Sequence, residues 1–358
     1  MRFKPFHNQL SKPALAELMK VLADKVFTYW INNALGYKKG HFSKFKNVYI
    51  QDGSSFAVKD ELSHVWPGRF TKISPAAVEL HATITLKSGS FDQATITPDT
   101  FSERAEMPTV EELKGNLFLA DRGYYSGDFI MQLDKAGGYY VLRAKGLKRV
   151  LILSAVRADG KQLVKKKAPE LSTLQKRLPK RQAVDMDVEI KGETVRLIAL
   201  WSLKEKRHTY LITNLKRDEY SILEISNIYR MRWQVELLFK ECKSYNSLHG
   251  FNTQKASLQE SLIWASLISM TLKRFITGCI EQLFKVEMST MIVSKTTVSW
   301  WYGILEAIVQ QRRKALVNRI NEACDFLKEN AKRAHPERDR QSGILQYALE
   351  PAFYAGTR

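Results

Sequence analysis

The segment LFLA at 117–120 constrains the fold more than any other part of the sequence. A short, continuous apolar run of this kind is typical of a β-strand that is buried on both faces, and the run ends on Asp121. Alternating apolar and polar residues at 78–86 predict a second strand with one buried face. A third strand is predicted at 48–50, where VYI runs into Asp52. The first half of the chain therefore contains the strands of a core sheet.

Helical patterns flank these strands. Residues 1–45 are predicted to be helical, with Ser11 as a cap and an apolar face at helical spacing. The residues of that face are Leu15, Leu18, Val21, Leu22 and Val26. From about 147 to 215, basic loops alternate with strand patterns such as DVEI and TVRLIALW, which predicts an inserted β unit. After Ser221 the chain is predicted to be helical to about residue 330, so the whole is a mixed α/β chain.

The positive charge of the chain is large and unevenly distributed. The formal net charge is +19, from 56 Lys and Arg against 37 Asp and Glu. Residues 143–181 contain thirteen basic and two acidic residues, so more than half of the net charge lies in this segment. Excess positive charge indicates a polyanionic partner, with nucleic acid as the leading candidate and an acidic membrane surface as the weaker one. A solvated basic loop is the alternative interpretation of this segment, and the sequence leaves it open.

Composition excludes several other classes of protein. An apolar fraction of 44% argues against a mostly disordered chain. The three cysteines lie far apart without a C-x-x-C pair, which fits neither a disulfide framework nor a structural zinc site. The uncharged apolar stretch at 262–272 is about half of the ~20 residues that a bilayer crossing needs. The N-terminus has basic residues but no apolar core or cleavage site of a signal peptide, and we expect a cytosolic protein without a transmembrane segment.

One predicted helix presents polar residues along a single face. These residues are Tyr229, Arg232, Glu236 and Lys243. At about 100° per residue they point in nearly the same direction, whereas the opposite face is apolar. The apolar face comprises Ile228, Met231, Val235, Leu238 and Cys242. Trp233 and Lys240 flank the polar face. A solvent-facing stripe with an ordinary Arg232–Glu236 pair is the alternative, and spacing alone does not separate it from a functional site.

Two aspartates, Asp52 and Asp121, follow predicted strands. Carboxylates at strand ends can converge at one edge of a sheet, and hard divalent cations such as Mg²⁺ prefer oxygen ligands. Either aspartate alone can also be an ordinary turn residue, because Asp-Gly and Asp-Arg-Gly are common turn sequences. Together with Glu236 on the helix, they form a candidate set of three carboxylates.

The helix carries a recognisable pattern. Tyr229-x2-Arg232-x3-Glu236-x6-Lys243 resembles the YREK signature of DDE transposases from bacterial insertion sequences, the group typified by insertion sequence four. All four residues and all three spacings of the signature are present.

Both aspartates lie in segments that resemble the same family. VYIQDGSSF around Asp52 resembles its first aspartate box, and LFLADRGYYS around Asp121 resembles its second. The two boxes and the YREK helix occur in the order of the family. The resemblance extends from about residue 6 to the helices beyond residue 251.

The resemblance implies an α/β fold with an RNase H-like catalytic core, interrupted by a mainly β insertion and flanked by helical N- and C-terminal regions. The expected segments are a helical N-terminal region (1–45), the first part of the core (46–146), the basic β insertion (147–215), a helix that completes the core (216–250) and a helical C-terminal region (251–358). The 115 residues between Asp121 and Glu236 leave room for such an insertion.

It also implies roles for individual residues. Asp52, Asp121 and Glu236 would be catalytic and would hold two Mg²⁺ ions, which Mn²⁺ can replace. Other residues of these segments are expected to bind DNA. Tyr229, Arg232 and Lys243 would bind backbone phosphates, and Trp233 would stack on an unpaired base. Lys240 and Arg122 are further DNA-binding candidates. For Arg122, a side chain that only points into solvent is an equal alternative.

The resulting functional prediction is a transposase that cleaves double-stranded DNA at transposon ends and joins them to target DNA. The family implies a homodimer that brings two ends together, no membrane partner, and a place in the bacterial cytoplasm at the nucleoid. Only about 45 residues precede the first aspartate box, fewer than in many relatives. A shortened, non-catalytic DNA-binding inhibitor is therefore the alternative, and a general RNase H-type nuclease without strand transfer is a third possibility.

Overall fold

The structure is a computed structural model. It describes residues 8–33, 42–86, 88–164, 168–180, 182–202, 205–246, 248, 250–334 and 353–354. Four cations of the basic segment, Lys165, Lys166, Lys167 and Arg181, lie outside the described residues.

The described strands form one large mixed sheet. They are β1 (Val48–Ala57), β2 (Ala77–Thr85), β3 (Ser90–Pro98), β4 (Leu117–Ala120), β5 (Tyr139–Arg143), β6 (Leu151–Arg157), β7 (Val184–Ile190), β8 (Glu193–Ser202), β9 (Arg207–Thr213) and β10 (Phe353–Tyr354). Their order is β3-β2-β1-β4-β5-β9-β8-β7-β6, and β10 pairs with β8. The first three strands are antiparallel, whereas β4 and β5 run parallel to β1. This is the topology of an RNase H-like core, so the predicted fold class is confirmed.

Two strand predictions differ from the structure. β1 does not end at Asp52 but continues for five residues to Ala57, paired with β2 along its length. Asp52 therefore lies inside a strand, where the Asp-Gly sequence that suggests a turn is held extended by ladder hydrogen bonds. β2 is buried on both faces rather than one, because the polar side chains of Glu79 and His81 are covered as well. The prediction for LFLA is confirmed, since all four residues of β4 are buried.

The segment between Asp121 and Glu236 extends the core sheet with β6 to β9. β9 pairs antiparallel with β5, so the inserted strands continue the sheet beyond the edge of the core. Lys191 and Gly192 both have positive φ and form the tight turn between β7 and β8. The mainly β character predicted for this region is therefore found in the structure.

The helices are α1 (Pro13–Asn33), α2 (Gly127–Lys135), α3 (Leu171–Leu174), α4 (Ile222–Arg230), α5 (Trp233–Tyr245), α6 (Ala256–Phe284), α7 (Thr290–Lys295), α8 (Thr297–Val309) and α9 (Arg313–Asn330). Short 3₁₀ turns lie at Asp60–Leu62, Glu103–Glu106 and Gln175–Arg177.

The buried face of α1 is not the predicted one. Leu18, Val21 and Leu22 are exposed, whereas Ala23 and Phe27 are buried in the core. α1 packs against α6, and small or flat side chains on its inner face allow the close approach. The larger apolar side chains of the predicted stripe are thus left on the surface.

The long helix α6 lies in the core over much of its length. Its size and composition would allow it to cross a membrane, but half of the relevant window is buried in this structure. Ile263, Trp264, Leu267 and Met270 pack in the main apolar cluster. A core helix of this kind passes the same test of length and composition.

Two apolar clusters cover the two faces of the sheet. One lies between the sheet and helices α1, α4, α5 and α6, and contains Ile50 of β1, Leu119 of β4 and Val141 of β5. The other includes the opposite face of the same strands, with α2 packed against it. The C-terminal helices α8 and α9 form a separate cluster with the end of α6. The face under α4 and α5 is the one that carries the candidate site.

Candidate active site

The strand register places the two aspartates side by side. Gln51 of β1 pairs with Ala120 of the parallel strand β4, so Asp52 and Asp121 are next to each other in the following row. Ile50 and Leu119 both pack under α4 and α5. Because side chains alternate along a strand, Asp52 and Asp121 lie on that same face. The prediction that these two carboxylates converge is therefore supported by the backbone itself.

The predicted single helix is two helices with a tight turn between them. α4 begins at a capping box, in which Ser221 and Glu224 each accept a hydrogen bond from the other's backbone N–H. It ends at Arg230, and α5 starts at Trp233. Across the junction the hydrogen bonds run from residue i+3 to residue i, including Arg232 N to the Tyr229 carbonyl. This 3₁₀-like turn tightens the chain and changes the angle between Tyr229 and Glu236.

The apolar side of this segment is buried as predicted. Ile228, Met231, Val235, Leu238 and Cys242 are each no more than 2% exposed. The polar side is less exposed than a solvent-facing stripe would be: Tyr229 is 1% and Arg232 is 8% exposed. These two side chains lie between the helices and the sheet. The alternative of an ordinary surface ion pair therefore does not describe Arg232.

Arg232 and Tyr229 join the three predicted carboxylates into one cluster. Arg232 Nη1 donates to Asp52 Oδ2 at 3.0 Å, and its Nη2 donates to Glu236 Oε1. The Tyr229 hydroxyl donates to Asp121 Oδ1 at 3.2 Å. The guanidinium of Arg232 also lies 5.8 Å from the centre of the Tyr229 ring. Residues that are 184 positions apart in sequence are thus connected by hydrogen bonds.

Burial dominates the electrostatics of Asp52. Desolvation raises the pKa of its carboxyl to about 6, although the Arg232 guanidinium and the Gly53 backbone N–H oppose that shift. The neighbouring carboxylates of Glu236 and Asp121 add to the rise. Burial also disfavours the charged form of Arg232, but Tyr229, Asp52 and Glu236 outweigh it and raise the pKa of the guanidinium. The site therefore concentrates negative charge that a cation must balance.

The donor set suits a divalent metal ion by its chemistry. Asp52, Asp121 and Glu236 offer only carboxylate oxygens, the ligands that Mg²⁺ and Mn²⁺ prefer. Within the described residues, however, no group of three His, Cys, Asp or Glu side chains is arranged to hold an ion as it stands. Arg232 is the cation between Asp52 and Glu236 in this arrangement. By its chemistry the set therefore suits a divalent ion, and in this structure the guanidinium of Arg232 contacts two of its three members.

The other predicted site residues occupy two kinds of position. Lys243 Nζ donates to the backbone carbonyl of Ser55 at 2.8 Å, so it reaches β1 three residues beyond Asp52. Burial lowers the pKa of this ammonium group. Trp233, Lys240 and Arg122 are exposed. Lys243 therefore contacts the strand that carries Asp52, whereas Trp233, Lys240 and Arg122 lie on the surface.

Arg122 lines a basic cavity of about 250 Å³ next to the carboxylate cluster. The cationic side chains around this cavity are Arg122, Arg143, Lys145, Lys148 and Arg207. Arg143 belongs to the lining of the cavity and also contacts the carboxylate cluster, because its Nη1 lies 3.8 Å from Asp121 Oδ1. The cavity is therefore a basic surface directly beside one of the three carboxylates.

Sequence reasoning did not single out Arg143 as a site residue. In the parallel pair of β4 and β5, Ala120 pairs with Leu142. The next residue of each strand is therefore its neighbour across the pair, which places Arg143 next to Asp121. Val141 packs on the same face as Leu119, which places Arg143 on the face of the carboxylates. The parallel between the endings LFLAD and YYVLR is the sequence signal that could have identified it.

A second missed feature lies behind Asp52, on the opposite face of β1. Glu79 of β2 is 3% exposed, and its Oε2 is buried without a hydrogen-bond partner. Burial, with a contribution from Glu103, raises the pKa of Glu79 to about 7, although Arg69 opposes this. A Cβ atom on Gly53 would lie 2.6 Å from Glu79 Oε1 and 3.5 Å from the Tyr124 hydroxyl. Gly53 is thus the residue that lets Glu79 and Tyr124 approach the strand.

We expect Gly53→Ala to lower the free energy of unfolding by about 1–3 kcal/mol, because the added methyl group overpacks this contact. Glu79 is held by burial and by Arg69, whose Nη2 lies 3.7 Å from Glu79 Oε2, so it cannot simply withdraw. In a Glu79→Ala background the same substitution should cost less than half as much. Urea denaturation of the four proteins measures this coupling. An equal cost in both backgrounds would show that Glu79 is not the source of the strain.

The fold and the carboxylate cluster define an RNase H-like nucleic acid enzyme. Residues 43–272 match the family described as "Transposase DDE domain", and the chain belongs to the DDE transposase family. The chain is accordingly an insertion-sequence DNA transposase, an enzyme of the DDE type, in a family that uses divalent metal ions and acts on DNA. Such an enzyme works in the cytoplasm, where bacterial DNA lies.

Several known transposases are similar to parts of this chain. The transposase for insertion sequence element IS231E of Bacillus thuringiensis subsp. finitimus is 23% identical over 338 residues, which cover 81% of this chain and 70% of that protein. The transposase for insertion sequence element IS1151 of Clostridium perfringens is 25% identical, over 75% of this chain and 66% of that protein. A solved structure of the piggyBac transposase synaptic complex with hairpin DNA aligns with 93% of this chain and 61% of that chain, at a TM-score of 0.41 and 11% identity.

Proposed function

We propose that the chain is a transposase of the YREK group, typified by insertion sequence four, and that Asp52, Asp121 and Glu236 form its catalytic site. The observation that supports this most strongly is the pair of bridges made by Arg232 and Tyr229. Two residues of the signature hold all three carboxylates in one cluster. An accidental sequence match would not be expected to produce this arrangement.

The carboxylates would hold two Mg²⁺ ions, for which Mn²⁺ can substitute, and such ions activate the attacking oxygen and stabilise the leaving oxygen in phosphodiester cleavage. Arg232, Tyr229 and Lys243 would bind backbone phosphates at the cut. For Arg232 this requires an exchange of partners, because its guanidinium is bound to Asp52 and Glu236 in the free protein. If a DNA phosphate bound the Arg232 guanidinium in place of Asp52 and Glu236, these two carboxylates would be free to bind metal.

The basic cavity and the surface residues would contact DNA farther from the cut. Arg122 and Lys240 are exposed cations that can bind phosphates without losing an internal partner shown in the structure, and the exposed ring of Trp233 can stack on an unpaired base. We propose double-stranded DNA, rather than a membrane surface, as the partner of this charge. The substrates would be the transposon ends and the target DNA.

The division of the chain follows the same proposal. The segments 46–146 and 216–250 would form the catalytic core, and 147–215 would be a DNA-binding insertion. The segments 1–45 and 251–358 would be helical regions that grip the ends. Two copies of the chain would form a homodimer that brings two transposon ends together. The dimer would work in the cytoplasm at the nucleoid.

The proposal is tested with a duplex that carries the DNA flanking this reading frame. The wild-type chain with Mg²⁺ is expected to nick the duplex at the end of the element and to join the free 3′ end to target DNA. The double variant Asp52→Asn, Glu236→Gln should bind the duplex in EDTA but not nick it. Lys135→Gln is the matched control and should nick like the wild type, since it removes an exposed cation from α2 on the opposite face of the sheet.

Each other outcome contradicts the proposal in a different way. DNA binding without nicking by the wild type would identify a non-catalytic DNA-binding inhibitor. Nicking without joined products would indicate a general RNase H-type nuclease. Equal nicking by the wild type and the double variant would show that the three carboxylates are not the catalytic site.

A further inference from the structure

Arg143 is the residue through which the inserted strands reach the carboxylate cluster. It ends β5, the last parallel strand of the core, and pairs with Leu211 of β9 in the insertion. On its other side, the register puts it next to Asp121. It therefore stands on the border between the core and the inserted strands.

The guanidinium of Arg143 has a carboxylate on each side. Its Nη1 lies 3.8 Å from Asp121 Oδ1, and its Nη2 donates to Glu205 Oε1 at 2.7 Å and to Thr209 Oγ1 at 3.4 Å. Glu205 lies between β8 and β9, and its other oxygen accepts from Arg207 Nε. The side chain of Arg143 is only 17% exposed. The position of the guanidinium is thus fixed mainly from the insertion.

Asp121 needs support of this kind because of where it lies. It follows the last residue of β4 and begins a turn in which its carbonyl accepts a hydrogen bond from the Tyr124 backbone N–H, so the residue itself lies outside the strand ladder. The Tyr229 hydroxyl donates to the same oxygen, Oδ1, that Arg143 approaches. Neither of these two contacts uses Oδ2. Both contacts act on Oδ1 and therefore restrict rotation of the Asp121 carboxylate.

We propose that Arg143 is a positioning residue for Asp121 and that Glu205 of the insertion sets the position of Arg143. The inserted strands then do more than provide a basic surface, since they orient one of the three carboxylates. Residues that orient metal ligands by hydrogen bonds or ion pairs typically change metal affinity or activity by about 10- to 100-fold when they are replaced. This inference rests on the proposed function of Asp121 as a metal ligand.

Four variants test the inference in the full-length chain: Arg143→Gln, Arg143→Lys, Glu205→Gln and the double variant Arg143→Gln, Glu205→Gln. Three quantities are measured. They are DNA affinity in EDTA by fluorescence anisotropy, Mn²⁺ affinity of the DNA complex by electron paramagnetic resonance, and the nicking rate at saturating DNA. Lys135→Gln is the matched control, because Lys135 is an exposed cation at the end of α2, which packs on the opposite face of the sheet.

We expect Arg143→Gln to weaken Mn²⁺ binding and slow nicking by about 10- to 100-fold, with DNA affinity in EDTA changed by no more than about threefold. Glu205→Gln should act in the same direction but less strongly. The double variant should have the same Mn²⁺ affinity and nicking rate as Arg143→Gln, since Glu205 acts on Asp121 only through Arg143. Arg143→Lys should keep DNA affinity without restoring the rate, because one ammonium group does not span both carboxylates. Lys135→Gln should leave all three quantities unchanged.

Two results would overturn the inference. If Arg143→Gln weakens DNA binding in EDTA tenfold and leaves Mn²⁺ affinity and the saturated rate unchanged, Arg143 is a phosphate contact. If Glu205→Gln changes nothing, or if the two substitutions add, the insertion does not act through Arg143. Glu205→Gln alters a partly exposed side chain and keeps the test informative should the Arg143 variants fail to fold. A wild type that does not nick would refute the proposed function, whereas the Mn²⁺ measurement would still report on Arg143.

Discussion

An Arg232→Ala variant should be about 3 kcal/mol less stable than the wild type in EDTA, because removal of one partner leaves buried charge without compensation. Arg232 is bonded to both Asp52 and Glu236, and Asp121 lies nearby through Tyr229. Without the guanidinium, carboxylates that repel one another remain beneath α5. The same substitution should abolish nicking, since the guanidinium is also the proposed phosphate ligand.

Added Mn²⁺ should restore part of this lost stability. A divalent ion that binds the folded state stabilises it by mass action, and in the variant no guanidinium competes for Asp52 and Glu236. Thermal melts in EDTA and in millimolar Mn²⁺ measure the effect. We expect a larger metal-induced increase in Tm for Arg232→Ala than for the wild type. Arg122→Ala, which removes the same charge from an exposed position, is the control and should melt like the wild type.

The outcome bears on how the site is organised. If Mn²⁺ stabilises Arg232→Ala and the wild type equally, the guanidinium does not compete with metal. If Arg232→Ala is as stable as the wild type in EDTA, the buried ion pairs do not hold the cluster together. Either result would contradict the interpretation that Arg232 balances the carboxylates in the free protein.

The largest loss of stability is expected for Arg196→Met in the insertion. The Arg196 side chain is 7% exposed, and its guanidinium donates three hydrogen bonds to Asp185 and one each to the carbonyls of Leu215 and Tyr220. The substitution would leave Asp185 largely buried and remove the hydrogen bonds that Arg196 donates to the two carbonyls. We expect it to lower the free energy of unfolding by about 3–5 kcal/mol.

Arg217→Met is the matched control, because Arg217 pairs with the same Asp185 from a position that is 42% exposed. It should cost no more than about 1 kcal/mol. The double variant Arg196→Met, Asp185→Leu should recover part of the loss, since it removes both buried charges together. Urea denaturation measures all three. A cost below about 1 kcal/mol for Arg196→Met would show that this network does not anchor the insertion to the chain entering α4.

The elements that the sequence predicted well are those with a strong local pattern. LFLA has no polar residue, which favours a strand buried on both faces, and the position of Asp121 follows from the end of that strand. The spacing from Tyr229 to Lys243 is likewise local. The three carboxylates could therefore be selected from the sequence as candidates, and their role as the catalytic site stays a prediction.

Other features depend on tertiary contacts that local patterns do not contain. Asp52 lies within β1 because β2 pairs along the whole strand. The turn at Arg232 accompanies contacts of Tyr229 and Arg232 with Asp121 and Asp52 of the sheet. Arg143 became visible only through the register between β4 and β5. In each case a long-range pairing decided the result.

Charge counting located the basic segment but not the roles of its members. Arg143 and Arg157 lie in this segment and are both paired with carboxylates, of Glu205 and Asp159 respectively. Lys145 and Lys148 line the cavity beside Asp121. Some cations of the segment, such as Arg143 and Arg157, are therefore engaged in ion pairs within the protein. Others, such as Lys145 and Lys148, lie at the cavity, where DNA can reach them.

Asp52, Asp121 and Glu236 are proposed to form a single metal site, and Mn²⁺ binding to the DNA complex tests this most directly. Electron paramagnetic resonance should detect bound Mn²⁺ on the wild-type chain with the end-bearing duplex. Each single variant, Asp52→Asn, Asp121→Asn and Glu236→Gln, should lose this binding while retaining DNA affinity in EDTA. Wild-type Mn²⁺ binding by any one of the three variants would contradict the claim, because that residue would then lie outside the site.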